Sequence, residues 1–181
     1  MLVLAKEAIA SQFPKLKMPL RQLTERKLYK IPPTLKEKRA CFVTLLINGE
    51  LRGCIGHILP IQELYKDIIE NARAAAFDDP RFSPLTCEEV EHLTIEISVL
   101  TVPQPFFYTS VEDLLHYLGK NKPGVILSKG KNQATFLPAV WHDLPSPEIF
   151  LTQLSIKAGL DPYDWKLGVE IRVYNAEKIM D

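Results

Sequence analysis

The chain is short of cysteine, with Cys41, Cys54 and Cys87 only, and none of them falls in a Cys-x-x-Cys pair. An odd, unpaired set gives neither a disulfide framework nor a four-cysteine zinc site, and fits a reducing cytoplasm. Histidine is as scarce. His57, His92, His116 and His142 are scattered, with no His-x-x-x-His or histidine–carboxylate run, so neither a bound metal nor another cofactor is expected. Long hydrophobic runs are also missing. Lys6 and Glu7 interrupt the apolar N-terminus too early for a signal peptide's core, and no later run approaches membrane-spanning length, so the sequence predicts neither secretion nor membrane insertion. No internal repeat or low-complexity tract is present.

What remains is ordinary globular composition, 46% hydrophobic and 24% charged over 181 residues. That length suits one domain, residues 1–181, able to bury a core without covalent staples. Formal net charge is zero but unevenly placed. Residues 1–40 carry ten basic side chains against three acidic ones, and residues 61–114 reverse the balance. A nucleic-acid groove needs stacking aromatics among its cations, and the basic segment offers only Phe13 and Tyr29. Nucleic-acid binding is therefore not expected.

The pattern predicts a short helix over residues 2–12, then a proline-rich basic arm over residues 14–36. Cys41 to Ile47 is rich in strand formers, and Asn48-Gly49 is a strong hairpin signal before a return strand opening at Glu50. Gln62 to Phe77 has helical periodicity with Leu64, Tyr65, Ile68, Ile69, Ala72, Ala75 and Ala76 facing the core. Thr86 to Glu89 is a capping-box pattern, and Leu93 to Leu100 alternates as a strand with Glu96 and Ser98 opposite the apolar face. Ser110 caps a helix through Leu118, Gly124 to Leu137 forms a hairpin, Ser146-Pro147 opens a helix ended by Gly159, and Gly168 to Tyr174 is expected to be the last strand. Hairpins with helices between them predict an α+β fold with a mostly antiparallel sheet.

The chemistry concentrates in Leu51-Arg52-Gly53-Cys54-Ile55-Gly56-His57. Gly53 and Gly56 permit positive φ or close backbone approach, so their amides are candidates for a ligand oxygen. On an extended segment Arg52 and Cys54 face one side, a guanidinium favours the reactive thiolate, and His57 is a candidate base. The opposing reading is a small cysteine in a turn that only glycines fit, with Arg52 paired to a carboxylate. Arg81 is a second candidate cation for a small anion, or the partner of an ion pair anchoring its turn. Glu96 is a candidate base or ligand contact, or a charge on a solvated strand face. Lys157, near a helix end, is expected to meet terminal carbonyls. Cys41 is expected to be packing, and Cys87 modestly activated beside Thr86.

The hexapeptide Leu51 to Gly56 resembles the signature of the AMMECR family, the prokaryotic AmmeMemoRadiSam system protein A. Further blocks are similar in order: Ala74-Ala-Ala-Phe77, Asp79-Pro-Arg-Phe82 with Pro84-Leu85, Ile95 to Leu100, Ala134 to Pro138 with Val140-Trp141, and Lys157-Ala-Gly-Leu160. The resemblance spans nearly the whole chain. It implies an α+β fold with a larger lobe built from both chain ends, a smaller lobe, and a cleft near the hexapeptide. It implies a Memo-like protein and a radical S-adenosylmethionine enzyme as partners. It implies no particular reaction, which leaves an enzyme or enzyme component with Cys54 as reactive thiol and a small anionic ligand, or else a non-catalytic adaptor or regulatory module that binds protein rather than nucleic acid.

Overall fold

The structure is a computed structural model and describes residues 1–14 and 31–181. The basic arm expected over residues 14–36 lies mostly outside the described residues. Its end is described: Pro32 and Pro33 lead into the single turn α2 (Pro33–Lys36), with proline at a position where a helix has no use for its N–H.

The chain divides into two compact units, Met1–Leu100 with Glu177–Asp181, and Thr101–Ala176. The first holds α1 (Leu2–Ala10), α2, the hairpin β1 (Cys41–Ile47) and β2 (Glu50–Gly56), α3 (Leu64–Phe77), β3 (Leu93–Leu100) and β8 (Ala176–Met180). Its sheet has the order β2-β1-β3-β8. Asn48 and Gly49 take φ of 52° and 82°, the double left-handed turn whose twist matches a two-residue hairpin. Alternation then sorts the faces. Val43, Leu45, Ile95 and Ile97 are fully buried against α1 and α3, where Ala5, Ala8, Ile9, Ile68 and Ala72 complete the core. Burying each of the larger aliphatic side chains is worth roughly 1.5–3 kcal/mol.

The second unit holds β4 (Gln104–Phe106), α4 (Val111–Asn121), β5 (Gly124–Lys129), β6 (Asn132–Phe136), α5 (Pro147–Lys157) and β7 (Glu170–Tyr174), with sheet order β4-β7-β5-β6. Ser110 Oγ accepts from the Asp113 amide and caps α4, and Ser146 Oγ accepts from the Ile149 amide to cap α5. Gly159 sits just past α5 at φ +73°. Its core gathers Leu114, Leu118, Leu127, Phe150 and Trp165 with Trp141, whose ring stacks on Phe150 at 3.8 Å.

The pairs β1–β2, β1–β3, β4–β7, β5–β6 and β5–β7 are antiparallel, as the hairpin pattern predicts. Two expectations need correcting. Gly168–Tyr174 does not end the fold, because β8 follows and joins the first unit's sheet. With only Ile179 and Met180 as large apolar residues, this edge strand shows little alternation to read. The capping box at Thr86 forms only in part: Glu89 accepts from the Thr86 amide at 2.8 Å, and a 3-10 turn (Glu89–His92) follows instead of an α-helix.

Candidate functional site

The hexapeptide occupies all but the first residue of β2, an edge strand. Leu45 is opposite Gly53 while Leu46 is opposite Leu51, so Arg52 is the extra residue of a β-bulge. Outside the ladder, its guanidinium meets Glu89 in a bidentate pair, Nε to Oε1 at 2.8 Å and Nη2 to Oε2 at 3.1 Å. Arg52 first, and then the Thr86 amide, hold the Glu89 carboxyl down at about 2 against the cost of its desolvation. Phe82 lies between the arginines, 5.9 Å from the Arg52 guanidinium and 5.4 Å from that of Arg81.

Neither hexapeptide glycine has a positive φ. Close approach alone requires them, which corrects half of the expectation. A Cβ on Gly53 would stand 2.1 Å from the Ala75 carbonyl oxygen of α3, and one on Gly56 would stand 2.4 Å from the Phe42 ring and 2.5 Å from the Cys41 carbonyl oxygen. Gly53 therefore lets the strand lie directly on the helix backbone.

Cys54 is held at both its backbone groups. Its amide donates to Asp79 Oδ2 at 2.8 Å, and its carbonyl accepts from Arg81 Nη2 at 3.2 Å. Asp79 is buried and also takes Arg81 Nη2 at 2.7 Å and Nε at 3.0 Å. The Asp79-Pro80-Arg81 turn thus covers the strand edge at Cys54, supplying an acceptor and a donor where an exposed edge would invite another strand. Arg81 first, then the Cys54 amide, keep the Asp79 carboxyl well below the usual carboxylate range although its burial opposes this.

The Cys54 thiol is half-buried and accepts from Thr44 Oγ1 at 3.2 Å. Thr44 stands opposite Cys54 on one side and Glu96 on the other, so thiol, hydroxyl and carboxylate form one cross-strand row on the sheet face away from Val43 and Leu45. Glu96 completes a pair with Lys178 at 3.0 Å. Cys41 differs: it is wholly buried, and burial first, then the Asp67 charge, push its thiol far above the ordinary range.

His57 is not brought to Cys54. It follows the last residue of β2, and its Nδ1 lies 2.7 Å from Asp67 Oδ1 on α3. Lys157 does not meet the carbonyls at the end of its own helix; its Nζ donates to the Thr135 carbonyl at 3.0 Å. That half-buried site lowers its pKa by desolvation.

Sequence reasoning singled out Arg52, Gly53, Cys54, Gly56, His57, Arg81 and Glu96. It passed over Thr44, Asp67, Asn71, Asp79 and Glu89 as functional groups. One signal existed for two of these: Asp67 and Asn71 share the apolar stripe of α3 with Leu64, Ile68 and Ala75. Among the described residues no group of three or more histidine, cysteine or acidic side chains could hold a metal ion, and no helix is long and apolar enough to cross a membrane.

The chain is 38% identical over 148 residues to a protein of Methanosarcina acetivorans, covering 81% of this chain and 74% of that one. It is 36% identical over 149 residues to Protein MJ0810 of Methanocaldococcus jannaschii, with the same two coverages. Its fold matches the crystal structure of uncharacterized protein PH0010 from Pyrococcus horikoshii with a TM-score of 0.81 and 32% identity, over 98% of this chain and 88% of that one. The AMMECR1 family model aligns with residues 2–179, and the chain belongs to that family.

Proposed function

We propose that the protein is an enzyme or enzyme component whose reactive group is the Cys54 thiol, acting with a Memo-like protein and a radical S-adenosylmethionine enzyme. The observation that carries this reading is the row of Cys54, Thr44 and Glu96 on one sheet face, with Cys54 part-buried and its thiol accepting from the Thr44 hydroxyl. A thiol that can be reached, with a carboxylate in its row, suits nucleophilic attack on a small ligand. Arg52 and Arg81 are poor anchors for an anion because Glu89 and Asp79 already match them. The reading therefore rests on the thiol.

The adaptor reading has one observation in its favour: Asp79 and Arg81 use the Cys54 backbone as an anchor, a structural duty for the hexapeptide. Cys54→Ala and Cys54→Ser separate the two. Both variants should melt within about 2 °C of the parent and still associate with the Memo-like protein, because the side chain contributes chemistry and little packing. A loss of more than roughly 2 kcal/mol, the scale of a core truncation, would assign Cys54 to packing and favour the adaptor.

A further inference from the structure

Asp67 is a carboxylate with no exposure, placed on the core-facing stripe of α3. Such a group must be saturated with donors, and it is. Oδ2 accepts from the Cys41 amide at 2.9 Å and from Asn71 Nδ2 at 3.0 Å. Oδ1 lies 2.7 Å from His57 Nδ1 and accepts from Gln62 Nε2 at 3.2 Å. Asn71 also donates to the Cys41 carbonyl at 3.2 Å, tying α3 to β1. The ring held by this network is not buried with it, since the His57 side chain is 32% exposed against 1% for Asp67. Among the described residues His57 Nε2 makes no hydrogen bond, and the His57 amide is fixed on the Cys41 carbonyl at 3.1 Å. Backbone, ring plane and one ring nitrogen are thus all set by buried partners, and the other nitrogen is presented outward.

We propose that His57 and Asp67 form a proton-accepting dyad, a second reactive centre separate from Cys54, that acts on an O–H group of a bound ligand. The Asp67 carboxylate, at 2.7 Å much nearer to Nδ1 than the Asn71 amide nitrogen at 3.4 Å, fixes the tautomer with the proton on Nδ1 and leaves the Nε2 lone pair free. In the step itself the ligand O–H bond breaks, an Nε2–H bond forms, and the imidazolium faces the Asp67 carboxylate through Nδ1–H. The ligand oxygen keeps the electron pair. Asp67 and Asn71 are positioning residues and touch no ligand. A polar cluster that only glued α3 to β1 would have no need to hold a half-exposed ring by one nitrogen.

Two measurements on the full folded chain test this. Nitrogen NMR of labelled histidine should show His57 as a single Nδ1–H tautomer at a pH where it is neutral; an Nε2–H tautomer or a mixture overturns the dyad. Diethyl pyrocarbonate, whose carbonyl carbon is attacked by Nε2 with loss of ethyl carbonate and of the Nδ1 proton, should modify His57 at least twofold faster than His142. His142 is the reference because its side chain is 92% exposed and carries no buried partner. Modification of His57 no faster than that of His142 overturns the proposal. Asp67→Asn should slow His57 at least tenfold. Should that variant fail to fold, the wild-type tautomer and rate decide alone. Cys54→Ala should leave the His57 rate unchanged, which keeps this test independent of the thiol reading.

Discussion

The two ends of the β1–β2 hairpin use glycine for opposite reasons. At the tip, Gly49 has φ +82° and open space around its missing Cβ. In the hexapeptide, Gly53 and Gly56 have ordinary backbone angles and no space at all. The tip needs a conformation and the hexapeptide needs contact. Substitution at the tip therefore strains one residue, whereas substitution in the hexapeptide pushes a strand off a helix backbone or off an aromatic ring.

The largest expected effect follows from that contrast. Gly53→Ala places a methyl group against the Ala75 carbonyl, a backbone atom that cannot turn aside, and should cost about 3 kcal/mol or more, the upper end of overpacking. Gly56→Ala should cost about 2 kcal/mol, because the Phe42 ring can shift in part while the Cys41 carbonyl cannot. Gly49→Ala should cost about 1 kcal/mol, the scale of a left-handed residue with a side chain. Denaturant melts of the three variants rank them. Equal losses would break the comparison.

The clamp on Cys54 sharpens it further. Asp79→Asn removes a buried charge that holds both Arg81 and the Cys54 amide, so a loss of about 3 kcal/mol is expected. Its acid sensitivity has a definite sign. Asp79 and Glu89 both have carboxyls depressed in the folded chain, so their stabilisation is present above the unfolded carboxylate range near 4 and fades as pH falls. For Glu89 that loss runs down through about 2. Stability measured from pH 6 to pH 2 should fall less steeply in Asp79→Asn and in Glu89→Gln than in the parent. A parallel slope in both variants would contradict the clamp.

The smallest effect belongs to the exposed Glu63–Lys66 pair on the first turn of α3. Lys66→Met should leave the denaturant midpoint unchanged within the error of the melt, as surface pairs are screened by solvent. It serves as the control for the clamp.

Local signals made the fold legible. Asn48-Gly49, Ser110, Ser146-Pro147 and Gly159 each mark an element end by chain chemistry that tertiary contact does not override. β4, with three residues, and β8, an edge strand of mixed polarity, lack the periodicity that would announce them. The site was legible in composition but not in pairing. Arg52 and Arg81 read either as cations beside a thiol or as members of ion pairs; the fold gives the ion pairs, with Glu89 37 residues and Asp79 two residues away in the chain. The same limit applies to His57, which is three residues from Cys54 yet answers to Asp67 on another element.

One hairpin carries two thiols in opposite settings, Cys41 wholly buried and Cys54 part-buried beside the Thr44 hydroxyl. The direct measurement is the rate of iodoacetamide alkylation at each cysteine in the folded protein, read by peptide mass over pH 6 to 9. Cys54 should react at least about a hundredfold faster than Cys41, since reactivity follows thiolate access. Rates for Cys54 equal to those for Cys41 would contradict the account.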